Sequence, residues 1–178
     1  MANDLMSIIK KRRSVRDYEP KKVSKELLME LIEAAIWAPT GSNIQPWYYI
    51  IVKNEGVLEK IKAFSPGLLG DPVNLIVVCT DRKRAFERAS ILGRDELCLM
   101  DISMAAQNIM LLATEKGLGT CAVRSFNKNA VSKILKLPEH ISPDLIVSVG
   151  YFNKTINTPK RRSVKEVSFF DRWEGGEQ

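Results

Sequence analysis

The chain has 178 residues, 45% of them hydrophobic and 27% charged, with a formal net charge of +6. This length and balance suit one soluble globular domain, residues 1–178, with room for a sizeable core. No apolar run approaches the roughly 20 residues that span a bilayer, and Met1–Ile9 is too short and mixed for a secretory signal.

The first predicted element is a short helix over Asp4–Lys11, with Leu5, Ile8 and Ile9 on one face. A basic segment, Lys10 to Tyr18, leaves it, and Pro20 ends that segment. In it Val15 and Tyr18 can anchor while Arg12, Ser14 and Arg16 point elsewhere. Ser24 is the N-cap of a second helix, whose Leu27, Leu28, Leu31, Ile32, Ala35 and Ile36 repeat at three and four. Ala38–Trp47 follows, with prolines at 39 and 46 that neither helix nor strand runs through. It is either a plain helix-to-strand turn or a polar ligand loop, with Thr40, Ser42, Asn43 and Gln45 as its hydrogen-bonding side chains.

Trp47–Lys53 reads as a strand and Glu55–Phe64 as a helix stopped by Pro66-Gly67. Asn74–Thr80 is a continuous apolar run, hence a buried strand. Asp81–Gly93 is charged and reads as an exposed helix or a mobile cover. Glu96–Lys116 is the longest helical pattern and is apolar on more than one side, which suits a central or interface helix capped by Gly117. Thr120–Val123 is a strand, Asn127 to Leu137 a capped helix, and Leu145–Val149 a strand ended by Gly150. Beyond Tyr151 the chain is extended and polar, then turns apolar over Val164–Phe170, which calls for docking on this subunit or a partner. The irregular alternation of elements favours α+β over a doubly wound sheet.

Arginine forks suit phosphate oxygens. Arg12 and Arg16, with Ser14 between them and Arg161 in a second basic cluster, therefore form either an anion cage or a solvated basic face. The cysteines, Cys79, Cys98 and Cys121, form no CxxC, and the single histidine, His140, completes no zinc set. Reduced thiols in a cytoplasmic protein are the expectation. Trp37 and Trp47 either wall a flat ligand or pack in the core. GxGxxG, P-loop, GxSxG and HExxH motifs are absent, and no side chain stands out as nucleophile or general base. A bound cofactor would then carry any difficult step.

Arg12-Arg13-Ser14-Val15-Arg16-Asp17-Tyr18 and Ala38-Pro39-Thr40-Gly41-Ser42-Asn43-Ile44-Gln45-Pro46-Trp47 resemble the two N-terminal signatures of the FMN-dependent nitroreductase family. Asp101 through Gly117-Leu118-Gly119-Thr120-Cys121 is similar to its central helix and glycine turn. Val149-Gly150-Tyr151 with Pro159-Lys160-Arg161 is similar to its C-terminal signature. The resemblance implies an α+β, nitroreductase-like fold: a mixed central sheet flanked by helices, in a homodimer whose C-terminal segments, 151–178, exchange. It implies tightly bound FMN at the subunit interface, NAD(P)H as transient co-substrate, and ping-pong reduction of a nitroaromatic, quinone or similar acceptor. By position, Arg12 and Ser14, joined by Arg161, go with the flavin phosphate and Arg16 with the pyrimidine edge; Arg13 is counted among the cofactor-binding residues. Pro39, Thr40, Gly41, Ser42, Asn43 and Gln45 would come from the other subunit. Arg124 and Ser125 fall where a backbone N–H approaches the flavin N5. No catalytic side chain and no metal is implied, with Arg16 and Arg124 as electrostatic contributors.

Three departures stand out. Ser65–Gly70 lacks the lysine some members place near the flavin edge, which shifts that charge to Arg16. Arg124-Ser125-Phe126 stands where the family often has an acidic residue and glycine, or glycine with a small residue, and a cation there would favour an anionic acceptor or NADPH. The chain is also short between Lys53 and Asp101. Two other functions stay open at this stage: a flavin protein with a different redox reaction, such as small-molecule oxidation or flavin cleavage, and a basic nucleic-acid-binding domain, which has no RRM, KH or helix-turn-helix signature to support it.

Overall fold

The computed structural model describes residues 4–173. Helix α1 (Leu5–Lys11) leads into α2 (Lys25–Ile36), which Ser24 caps by accepting from the Leu27 N–H. A short 3-10 turn at Gly41–Asn43 precedes strand β1 (Trp47–Val52). Next come α3 (Glu55–Ala63), β2 (Asn74–Asp81), α4 (Arg82–Leu92) and, after a π-helical turn at Gly93–Leu97, α5 (Cys98–Glu115). Strand β3 (Gly119–Val123), α6 (Lys128–Leu135), β4 (Ile141–Gly150) and one helical turn, α7 (Val164–Val167), complete the chain.

The strands form one sheet in the order β1-β2-β4-β3, every neighbouring pair antiparallel. Among the described residues, parallel character is limited to an isolated bridge between Ser14 and Thr120, so within one chain the sheet is less mixed than expected. Helices cover both faces. One core joins α2 and α5 to the sheet through Leu28, Leu31, Ile102, Ile109, Ile76 and Val147. The other joins α3 and α6 through Leu58, Ile61, Val131, Leu75, Val77 and Ile146. Central β2 is buried along its whole length, which is why it reads as an unbroken apolar run.

Strand β4 begins at Ile141, four residues before its predicted start. Pro143 hid this, because proline donates nothing to a ladder. The register shift between Val78 and Cys79 lets Pro143 sit opposite Cys79. Helix α4 is interrupted at Ala89 (φ −145°) and Ser90 (φ 53°), a break that its charged sequence did not announce. By length and hydropathy alone, the run Arg82–Glu115 could cross a membrane. Its apolar part, α5, instead packs against α2 and the sheet.

Candidate functional site

The segment after α1 runs along the edge made by β3 and the end of β4. The Val15 N–H donates to the Thr120 carbonyl at 2.9 Å and the Glu19 N–H to the Tyr151 carbonyl at 2.8 Å. Val15 is buried against Gly119, as anticipated. The Tyr18 hydroxyl donates to the Val15 carbonyl at 2.7 Å and lies 2.7 Å from Ser148 Oγ. Burial pushes the Tyr18 phenol up, so it remains a neutral donor.

With Val15 and Tyr18 turned inward, Arg12, Ser14 and Arg16 face a cavity of about 270 Å³ that Arg13, Asn157, Pro159 and Arg161 also line. The two basic clusters, distant in sequence, thus meet. Arg12, Arg16 and Arg161 carry no ion pair and donate no side-chain hydrogen bond among the described residues. Arg13 differs. Its guanidinium donates to the Lys10 and Arg12 carbonyls at 2.6 and 2.7 Å and to Thr158 Oγ1 at 2.6 Å, tying the C-terminal segment to the N-terminal one.

Arg124 and Ser125 follow β3 and adjoin the same surface through residues 65–70. The Gly67 N–H donates to the Ser125 carbonyl at 3.0 Å. Three residues on, Gly70 (φ 73°) lies so close to the chain that an added Cβ would fall 2.0 Å from the Arg16 carbonyl oxygen. One turn therefore touches both Arg16 and Ser125.

The polar loop is held at a different place. Ser42, Asn43 and Gln45 have φ of 49°, 53° and 52°. Non-glycine residues rarely adopt that region, and when they do it is at turns and functional sites. The Gly41 N–H donates to Asp101 Oδ1 at 3.1 Å, Arg84 Nε to the Ile44 carbonyl at 2.6 Å, and the Gln45 N–H to Thr40 Oγ1 at 3.1 Å. Gln45 Nε2 also reaches Asn43 Oδ1 at 3.0 Å. Pro39, Ser42, Asn43 and Gln45 are exposed, with Thr40 and Gly41 half-buried. Asp101 and Arg84 went unnoticed as loop-holding residues; an acid in the first turn of an apolar helix was the available signal. Burial raises the Asp101 carboxyl, offset in part by the Gly41 N–H.

Asp101 lies near the start of α5 and Val15 packs beyond its end. The 14 steps of helix from Asp101 to Glu115 rise roughly 20 Å. The structure therefore brings Arg12, Ser14, Arg16, Arg161 and the Arg124-Ser125 turn to one region and leaves the polar loop at the other end of the helix. Trp47 is core, whereas Trp37 is 80% exposed, so the two tryptophans do not wall one slot. His140 is exposed and the three thiols are buried and free. Burial pushes Cys79 up to about 12.

A second polar cluster was not anticipated. Asp144, buried on β4, accepts from Arg82 Nη2 at 2.7 Å and also from Lys128 Nζ and Thr80 Oγ1. Burial alone would raise this carboxyl, but hydrogen bonds from Lys128 and Thr80 and the charge of Arg82 outweigh it and hold it below the ordinary range. Arg82 also reaches Cys98 Sγ at 3.2 Å and the Arg94 carbonyl, so the cluster joins β2, β4, α4, α5 and α6. Its cations are already committed, and it is a structural knot.

These features define an α+β protein with helices on both sheet faces and an arginine-lined cavity at one sheet edge. The nitroreductase family model matches residues 9–69 and 63–151, and the chain belongs to that family of oxidoreductases. A candidate NADH dehydrogenase/NAD(P)H nitroreductase of Archaeoglobus fulgidus is 32% identical over 154 residues, covering 83% of this chain and 85% of the relative. The solved nitroreductase family protein of Clostridium difficile 630 is 29% identical with a TM-score of 0.84, covering 97% of this chain and 100% of that one. NfrA1 of B. megaterium is 28% identical with a TM-score of 0.87, covering 98% of this chain and 76% of that one.

Proposed function

We propose that this NAD(P)H oxidoreductase binds FMN tightly at a homodimer interface and passes electrons, ping-pong, from NAD(P)H to a nitroaromatic, quinone or similar small acceptor. One observation carries the reading. Arg12, Arg16 and Arg161 converge with Ser14 on a single cavity, and none of the three forms an ion pair among the described residues. Cations so placed lack an internal partner, which suits an anion from outside. The donor set fits a phosphate monoester: guanidinium forks for its oxygens and a hydroxyl for a short hydrogen bond. FMN, when bound, supplies hydride acceptance from the nicotinamide and donation to the acceptor.

The chain's own residues bind and orient. Arg12, Ser14 and Arg161 hold the phosphate. Arg16 is placed to stabilise negative charge at the flavin edge. Pro39, Thr40, Gly41, Ser42, Asn43 and Gln45 are assigned to the partner's site, because their own chain holds them away from its arginines. Support for a dimer comes from Leu5, Ile36, Trp37, Met100 and Met104, apolar side chains exposed on α1, α2 and α5 and beside them. The β1 edge has no partner strand among the described residues, and Val164, Val167 and Phe170 are exposed rather than docked on their own chain. The exchanged segment would cover such surfaces. The buried, free thiols accord with a cytoplasmic setting.

The test is purification with and without added FMN, then assay with NADH and NADPH against a nitroarene, a quinone and oxygen. Absorbance near ~450 nm and a dimeric sedimentation coefficient are expected, as for a flavin cofactor held between subunits. A monomer that stays colourless in excess FMN overturns the proposal. A yellow dimer that oxidises neither nicotinamide would point to a different flavin reaction.

A further inference from the structure

Arg124 follows β3 in an exposed turn, with its own carbonyl accepting from the Phe126 N–H at 3.1 Å. Its guanidinium makes no ion pair and no side-chain hydrogen bond among the described residues. It lies over the Phe126 ring, 5.9 Å from centroid to guanidinium carbon. That is near the outer limit of a cation–π contact, so the ring steadies the group without neutralising it. Arg124 is joined to Arg16 through one turn. Gly67 hydrogen-bonds the residue after Arg124, and Gly70 abuts the Arg16 backbone. Three residues span at most about 10 Å of chain.

Acids close to this surface are already engaged. Asp71, next to Gly70, pairs with Lys62, and Asp17, next to Arg16, pairs with Lys154. Arg16 and Arg124 therefore flank residues 66–70 as two cations that form no ion pair among the described residues. Arg12, Ser14 and Arg161 occupy the cavity beyond Arg16, whereas Arg124 does not line it. A phosphate held in that cavity leaves the charge of Arg124 unanswered.

We infer that Arg124 is a specificity residue that recognises an anionic group on the molecule visiting the site, either the carboxylate of an acceptor or the 2′-phosphate of NADPH. This rests on the proposed FMN site and adds its substrate class. Both ligands offer the same chemistry, a compact oxyanion for one exposed cationic side chain. An exposed pair of this kind is screened by salt, so the preference declines as ionic strength rises.

The test compares wild type, Arg124→Ala and Arg124→Lys. One ratio is kcat/KM for 4-nitrobenzoate over neutral 4-nitrobenzyl alcohol; the other is kcat/KM for NADPH over NADH. We expect at least one ratio to fall about tenfold in the alanine variant and to recover substantially in the lysine variant. A fall in the first ratio assigns the anion to the acceptor, and in the second to the nicotinamide. If neither ratio moves, or lysine restores nothing, the inference is overturned. Titration calorimetry of 4-nitrobenzoate and adenosine 2′,5′-bisphosphate on the chain as purified needs no turnover. Binding of either anion that Arg124→Ala weakens about tenfold supports Arg124 even if the FMN reading fails. FMN binding and turnover with both ratios unchanged would remove only Arg124.

Discussion

Arg12 and Arg13 are neighbours in sequence and opposites in use. Arg13 is committed to two backbone carbonyls and Thr158, while the Arg12 guanidinium lines the cavity with no side-chain partner among the described residues. Sequence grouped them as one basic cluster, because which of two adjacent arginines is absorbed internally depends on where residue 158 lies. Arg12→Ala should weaken FMN binding roughly 10- to 100-fold, the worth of a charge-assisted hydrogen bond. Flavin fluorescence titration measures it, and an unchanged Kd would remove Arg12 from the phosphate site. Asp144 was illegible for a similar reason: Thr80, Arg82 and Lys128 converge on it from elements far apart in the chain. Asp144→Ala should cost about 3 kcal/mol in urea unfolding, the low end for breaking a buried pair, since Arg82 and Lys128 keep some water. The carboxyl is depressed in the folded protein. Its contribution is therefore complete above the ordinary aspartate range and is lost as pH falls through the folded pKa. Asp144→Asn should flatten the acid limb of the stability profile; an unaltered limb would mean other groups set it.

At the scale of elements, regular pattern was readable and irregular backbone was not. Helix α2 and its Ser24 cap follow from a three-four apolar repeat, and β2 from an unbroken apolar run. The bulge that admits Pro143 and the break at Ala89–Ser90 have no such signature, because both depend on what packs opposite. The turn at residues 65–70 has this character too. Its proline and glycines signalled a helix stop, yet Gly70 proves to be the point where the turn meets Arg16. Gly70→Ala would hold alanine at φ 73°, costing about 1–2 kcal/mol for the left-handed conformation before any clash with the Arg16 carbonyl. We expect both a lower Tm by calorimetry and weaker FMN binding, because relief of the clash must move the backbone of Arg16. A Tm loss without loss of FMN affinity would show that this turn supports the fold and not the site.

For the molecule as a whole, family signatures made the fold class legible and picked out the arginines that meet at one cavity, whereas whether one site draws on two subunits turns on distance. The α5 helix holds the polar loop near its start through Asp101 and the arginine segment beyond its end, roughly 20 Å apart by helical rise. If both parts serve one FMN, they come from different protomers. Two inactive variants then decide the matter. Arg12→Ala combined with Arg161→Ala strips the phosphate corner. Ser42→Gly combined with Asn43→Gly removes loop side chains while keeping φ near 50°, which glycine adopts freely. In a mixed dimer, a site shared between chains places both lesions together on one side and leaves the other side intact. A site contained within each chain would carry one lesion on either side, and mixing would restore nothing. Random reassortment of equal amounts makes half the dimers mixed, each with one good site, so about a quarter of wild-type sites should reappear. FMN bound per chain after mild denaturation and refolding of the mixture is the readout. No recovery from a mixture that has demonstrably exchanged subunits would overturn the shared site, leaving a site within each chain or separate functions for the loop and the arginines.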